Sequence, residues 1–343
     1  MTNSRQLSFL DAAGLIAIVR VVYLHGLNNY QIVVPAEHPT PGLPSWQIIT
    51  ALLVRHSIPL FVLAAGFKFA LAYQRRPNIP PLTYVAGRTR RLLKPYLVWT
   101  LLVYVTAPWI YPSFLSMPGY EGFPIPTTAA LFAILSGASN PAYPLWFIPM
   151  LYLTSIVYLP IHHRLPGWLT LPILFIVFIS IRMRGVTIPW SYPAYWVFYD
   201  LGVRLADHSK HRSFFPAIMP IGAGISIVLY GLSAGYLFIY RHIGPVFPAT
   251  VLTELSAPLA IFFVCGTLWQ DQSNPRFHHL AQWIWPVFIL HEPFILGQIA
   301  WTTYIRLDIR SPFAYLIVCL LTLITTILIA RLLRSIRLDQ ILF

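Results

Sequence analysis

The chain has 343 residues, 57% of them hydrophobic and only 10% charged, with a mean hydropathy of +0.67. That balance excludes a water-soluble globular protein and a nucleic-acid-binding domain, because the formal charge of +13 sits in short loops between apolar segments, where anionic headgroups account for it. Apolar stretches of roughly 18 to 25 residues, about what a ~30 Å hydrocarbon core requires, predict an all-α polytopic transmembrane helix bundle, and the alternating strands of a membrane barrel are not visible.

Ten spans are predicted, at 10–27, 47–73, 92–111, 144–162, 168–183, 192–206, 214–240, 247–269, 281–304 and 312–333. The first lacks a small-residue cleavage site and carries an interior arginine, which suits a retained span better than a cleaved leader. With the N-terminus in the cytoplasm, fifteen Lys and Arg fall in inner segments, against Arg182, Arg184, Arg241, Arg306 and Arg310 outside, so both termini are expected to be cytoplasmic. Aromatic belts agree, with Trp46, Trp109, Tyr111 and Trp190 near outer interfaces and Trp168 and Trp269 near inner ones. The outer loop 112–143 is expected to hold a short interfacial helix at 127–136. No loop is long enough for a soluble domain and no repeat is visible, so residues 1–343 read as one membrane domain. Cys265 and Cys319 fall inside apolar helices and read as packing residues, not as a disulfide or metal site.

Within the spans remain Arg20, His25, Arg55, His56, Lys68, Asp200, Glu254, His291 and Glu292. Each is costly in hydrocarbon and calls for a partner or a wet cavity. Arg20, Arg55, Asp200 and Glu292 come out near mid-depth, so Arg20 and Asp200 read either as structural ion pairs that fix helix register or as functional groups. On a helical wheel Asp11 and Gly14 lie within about 20–40° of His25, whereas Arg20 lies about 140° away. The first helix therefore has one polar seam, and Arg20 belongs to another contact. An imidazole exchanges a proton near neutral pH, so a histidine on that seam can take a proton from a hydroxyl as general base and return it to a leaving thiolate. Lys68, Arg75, Arg76, Arg88, Arg90, Arg91 and Lys94 on the inner side suit the phosphates of a nucleotide-like donor; topology signal alone also explains them.

Six blocks in order carry a family resemblance: "FLDAAGLIAIVRVVYLHG", "SIPLFVLAAGFKFALAYQRR", "RTRRLLKPYLVW", "PLWFIPMLYLTSIVYLP", "FYDLGVRLA" and "WPVFILHEPFIL". Together they resemble the acyltransferase-3 family of integral membrane acyltransferases over nearly the full length, with the last block most similar to the branch that modifies periplasmic glucans. The resemblance implies a multi-pass protein of a bacterial inner or plasma membrane, surrounded by lipid. It implies transfer of an acyl group from cytoplasmic acyl-CoA, acetyl-CoA or succinyl-CoA, to a hydroxyl of an extracytoplasmic carbohydrate or similar acceptor, with no permanently bound cofactor. His25 falls on the family's essential histidine. Arg55 and Lys68 become candidates for the donor's phosphates or the developing oxyanion, His291 and Glu292 for orienting the acceptor or pairing with Arg20, and Trp146 for lining the acyl or acceptor passage. Direct transfer is expected, since no serine or cysteine sits in a nucleophile motif with a base. One position departs: where the family has an arginine eleven residues before its histidine, this chain has Gly14. That leaves open another cation in the donor site, a non-catalytic member, or a transporter or flippase.

Overall fold

In a computed structural model of the chain the described residues are 8–33, 50, 54, 56–77, 79–110, 143–185, 190–208, 214–240, 247–269, 275–291 and 311–338. All regular structure among them is helical. In chain order the helices are α1 (Ser8–Val33), α2 (Ser57–Arg75), α3 (Pro81–Arg88), a π turn (Thr89–Leu93), α4 (Lys94–Ile110), α5 (Phe147–Arg164), α6 (Gly167–Arg184), α7 (Trp196–His208), α8 (Phe214–Tyr240), α9 (Phe247–Trp269), α10 (Pro275–Ala281), α11 (284–291) and α12 (Pro312–Ser335). Two 3-10 turns, Tyr143–Trp146 and Tyr192–Tyr195, lead into α5 and α7.

Six of these helices are long and apolar enough to cross a membrane: Ser8–Gly26, Ser57–Arg75, Gly167–Arg184, Pro216–Ile239, Phe247–Trp269 and Pro312–Ser335. The protein is a multi-pass membrane helix bundle. Several predicted spans are shorter or shifted. The second predicted span holds α2 from Ser57, where the Ser57 hydroxyl donates to Val54 O at 2.9 Å; most of 47–55 lies outside the described residues. The segment at 192–206 forms a 3-10 turn with Pro193 at its start and then the 13-residue α7. The interfacial helix expected at 127–136 lies outside the described residues.

The chain divides into two units, residues 1–68 with 202–330 and residues 69–201 with 331–343. In the first, Phe9 of α1, Phe67 of α2 and Phe262 of α9 pack mutually, with ring centroids 5.3 to 5.6 Å apart. Helices α8 and α9 form an antiparallel pair: Ser233 bonds Thr253 at 2.9 Å, while Gly222 lies under the Phe263 ring and Gly266 under Met219. Small residues at such crossings let helices approach where no water drives them together. Gly202 of α7 lies so close to the α2 backbone at Leu63 and Phe67 that no side chain fits there. Helix α12 shows the solvent logic most plainly. Ala314, Tyr315, Val318, Cys319, Thr322, Thr326 and Ala330 are buried along one stripe, and Phe313, Leu316, Leu320, Ile324, Leu328 and Leu332 are exposed along the other. A large aliphatic face turned outward is stable in lipid and not in water.

In the second unit Phe69, Tyr158 and Tyr199 form an aromatic core, with centroids 5.0 to 6.0 Å apart, and Tyr84 of α3 adds its edge to Phe69 at 5.6 Å. Between α3 and α4 the ladder widens, and Lys94 N–H reaches back five residues to Thr89 O. Pro95 follows at once; it has no N–H for the preceding turn and its ring presses on it, so the wide turn relieves that conflict.

Candidate active site

Asp11, Gly14 and His25 lie along one face of α1, and each meets the 275–291 stretch in ascending order. Asp11 Oδ2 is 3.3 Å from His278 Nδ1, a methyl group at Gly14 would sit 2.8 Å from Ile284 Cδ1, and the rings of His25 and His291 stand 5.0 Å apart at 70°. Because both partners advance together, α1 and this stretch run in the same direction. The wheel-derived seam is thus the groove in which the late block lies, and glycine at 14 is what admits Ile284.

His291 is the last described residue of α11 and is fully buried. Its Nδ1 is 2.9 Å from Phe288 O and 3.2 Å from Val287 O. A carbonyl only accepts, so Nδ1 carries the hydrogen and the ring is held by the helix that bears it. An aromatic wall flanks the pair: Phe288 stacks on Trp285 at 6.1 Å and 11°, and meets Phe61 of α2 at 6.1 Å. Two residues before His25, the Tyr23 carbonyl accepts the Tyr315 hydroxyl of α12, and their rings meet edge-on at 4.7 Å, which pins the far end of α1. His25 itself is half-buried.

The other end of the seam is charged. Lys68 Nζ stands 3.7 Å from Asp11 Oδ1, its side chain 50% exposed while that of Asp11 is 11% exposed. Such a half-solvated pair is worth less than about 1 kcal/mol, but it shares the lysine's charge with a carboxylate. Fourteen residues of helix, about 21 Å of axis, separate this end from His25. Arg20 is buried on a different face of α1, within electrostatic reach of Tyr230 of α8. Arg55 and Glu292 lie outside the described residues.

The remaining candidates belong to the second unit. Asp200 is fully buried on α7; its Oδ1 accepts the Tyr158 hydroxyl and, at 3.4 Å, that of Thr170. Trp146 ends the turn before α5, half-buried and stacked on Tyr192 at 6.3 Å and 17°, with its carbonyl accepting the Tyr192 hydroxyl at 3.1 Å. Arg75, Arg76, Arg90, Arg91 and Lys94 are exposed, and Arg88 is half-buried with Nε donating to Tyr84 Oη at 3.0 Å. Thr89 opens the π turn, bonding Tyr152 Oη at 2.9 Å, so the turn that presents Arg90 and Arg91 is tied to α5.

Sequence reasoning missed His278 and Ile284 as partners of the seam. The adjacent His278 and His279, thirteen and twelve residues before His291, were the only signal, and they read equally well as loop residues. Tyr158 as a donor to Asp200 had no local signature.

A comparison with protein families matches the acyltransferase-3 model, described as an acyltransferase domain, to residues 7–331. No curated protein and no solved structure matches the chain.

Proposed function

The chain belongs to the acyltransferase-3 family and is a membrane acyltransferase over nearly its whole length, and from that premise we propose that it moves an acyl group from cytoplasmic acyl-CoA to a hydroxyl of an extracytoplasmic carbohydrate or similar acceptor, with His25 as general base. The observation that carries this reading is the seam of α1, with the Asp11–Lys68 ion pair and His278 at one end and two imidazoles, His25 and His291, at the other. A thioester donor has that polarity: anionic phosphates at one end, a long thin arm, and a reactive carbonyl at the other.

In the reaction, His25 takes the acceptor's hydroxyl proton as the oxygen bonds to the thioester carbonyl carbon. The tetrahedral intermediate then expels the CoA thiolate with cleavage of the C–S bond, and the imidazolium returns its proton to sulfur. The acyl group passes directly to the acceptor, with no acyl-enzyme. Lys68 and Arg55 serve the donor's phosphates or the oxyanion. Ile284 occupies the space beside Gly14, so the charge that the family's arginine supplies comes from another cation here. Ten spans with both termini in the cytoplasm also belong to the proposal. Supporting them, α2, α9 and α12 run opposite to α1 while α11 runs with it, which is what those span numbers require.

The test is calorimetric titration of acetyl-CoA and succinyl-CoA into the purified full chain, wild type against Lys68→Ala and Arg55→Ala, followed by thiol release with β-linked glucose oligomers as hydroxyl probe. Saturable binding weakened by either substitution, with release that depends on the oligomer, is expected. Absence of binding to both thioesters would overturn the donor and favour a transporter.

A further inference from the structure

At the charged end of the seam, net charge depends on a single proton. Lys68 Nζ and Asp11 Oδ1 stand 3.7 Å apart and their charges sum to zero. His278 of α10 is the third member, its Nδ1 3.3 Å from the other carboxylate oxygen, Asp11 Oδ2. Lysine and histidine therefore do not compete for one atom, and the carboxylate holds both at once. Among the described residues Asp11 is the partner of each, and neither has another.

The carboxylate also decides where a proton goes. It accepts only, so Nδ1 of His278 carries a hydrogen whether the ring is neutral or charged, and a gained proton falls on Nε2. The His278 side chain is 85% exposed and that of Lys68 50% exposed, so both reach solvent beside a carboxylate that is 11% exposed. Neutral, Nε2 is a lone pair that repels a phosphate oxygen. Protonated, it is a charged donor held in place from the opposite edge of the ring, and the cluster turns from neutral to singly positive. The titratable and charged groups around His278, among the described residues, are Asp11 of α1, Lys68 of α2, and Arg276 and His279 of α10 itself; α9 meets α10 through Trp269, whose uncharged ring lies against Phe277.

We infer that His278 binds a phosphate of the donor together with Lys68, and does so only while its imidazole is protonated, so that affinity for the donor falls as pH rises through the neutral range. The inference rests on the proposed acyl-CoA donor for its ligand and adds to it one residue and a pH dependence. The sign follows from charge: a phosphate binds the imidazolium and not the imidazole, so the gain is complete at acid pH and lost in alkali.

The test is calorimetric titration of acetyl-CoA and of inorganic pyrophosphate into the detergent-purified full chain at about pH 5.5 and about pH 8.5, on either side of imidazole titration. The phosphates of the probes titrate as well, a change shared by every variant that cancels in the ratio to wild type. His278→Gln is expected to weaken both probes about fivefold at the lower pH and to match wild type at the higher. His278→Lys, a cation at both, should bind about fivefold more tightly than wild type at the higher pH. His279→Gln, at the neighbouring exposed position, should follow wild type at both. Equal affinity of His278→Gln and wild type at the lower pH, or an equal loss at both, would overturn the inference. A step with pyrophosphate that depends on His278, without acetyl-CoA binding, would keep His278 as a phosphate ligand and discard the proposed donor. Binding of acetyl-CoA without the step would keep the donor and discard His278.

Discussion

The same substitution, glycine to alanine, should destabilise at one position of the first unit and be nearly neutral at another. At Gly202 the added methyl would meet the backbone of α2, 2.8 Å from Phe67 N and closer still to Leu63 O, against an ordinary contact of 3.4 to 4 Å. Neither atom can turn aside, since both belong to a helical backbone, so α2 and α7 must separate, by an amount set by the nearer contact at Leu63 O. Overpacking of this kind costs about 1–3 kcal/mol or more, beyond the ~1 kcal/mol that alanine gains over glycine in a helix. At Gly14 the methyl meets only Ile284 Cδ1, at 2.8 Å, the end of a side chain that can rotate. A rotamer adjustment of ~0.5–1.5 kcal/mol roughly offsets the propensity gain. Thermal unfolding of the two variants in one detergent should place Gly202→Ala about 1.5–4 °C below wild type and Gly14→Ala within about 1 °C of it. Coincident melting of Gly202→Ala and wild type would refute the close approach of α7 to α2.

Tyr158→Phe removes the phenol that donates to buried Asp200 and should destabilise by about 1–3 kcal/mol in the same melting assay, with little change in donor binding. Replacing exposed Arg90 and Arg91 together by alanine should leave melting unchanged but weaken acetyl-CoA binding and flatten its salt dependence, read by calorimetry at two ionic strengths.

The membrane class was plain from composition, and the wheel of α1 placed Asp11, Gly14 and His25 on one face with Arg20 on another, as the structure has them. Those features repeat at helical spacing and need no knowledge of partners. What lies opposite the seam was not legible, because His278, Ile284 and His291 come more than 250 residues later and no local rule pairs them with α1. Lys68 looked like a bare cation for the same reason; its carboxylate partner is 57 residues away. Span ends were missed where proline overrode hydropathy. Pro193 shortens the approach to α7, and Pro95 follows a π turn that hydropathy alone does not show.

The central claim is that His25 is the base of an acyl transfer, and the most direct test is the rate of thiol release from acetyl-CoA with glucose oligomers as acceptor, wild type against His25→Ala at matched melting temperature. A fall of at least about 10²-fold with donor affinity retained is the predicted result. Transfer at the wild-type rate in His25→Ala would contradict the account.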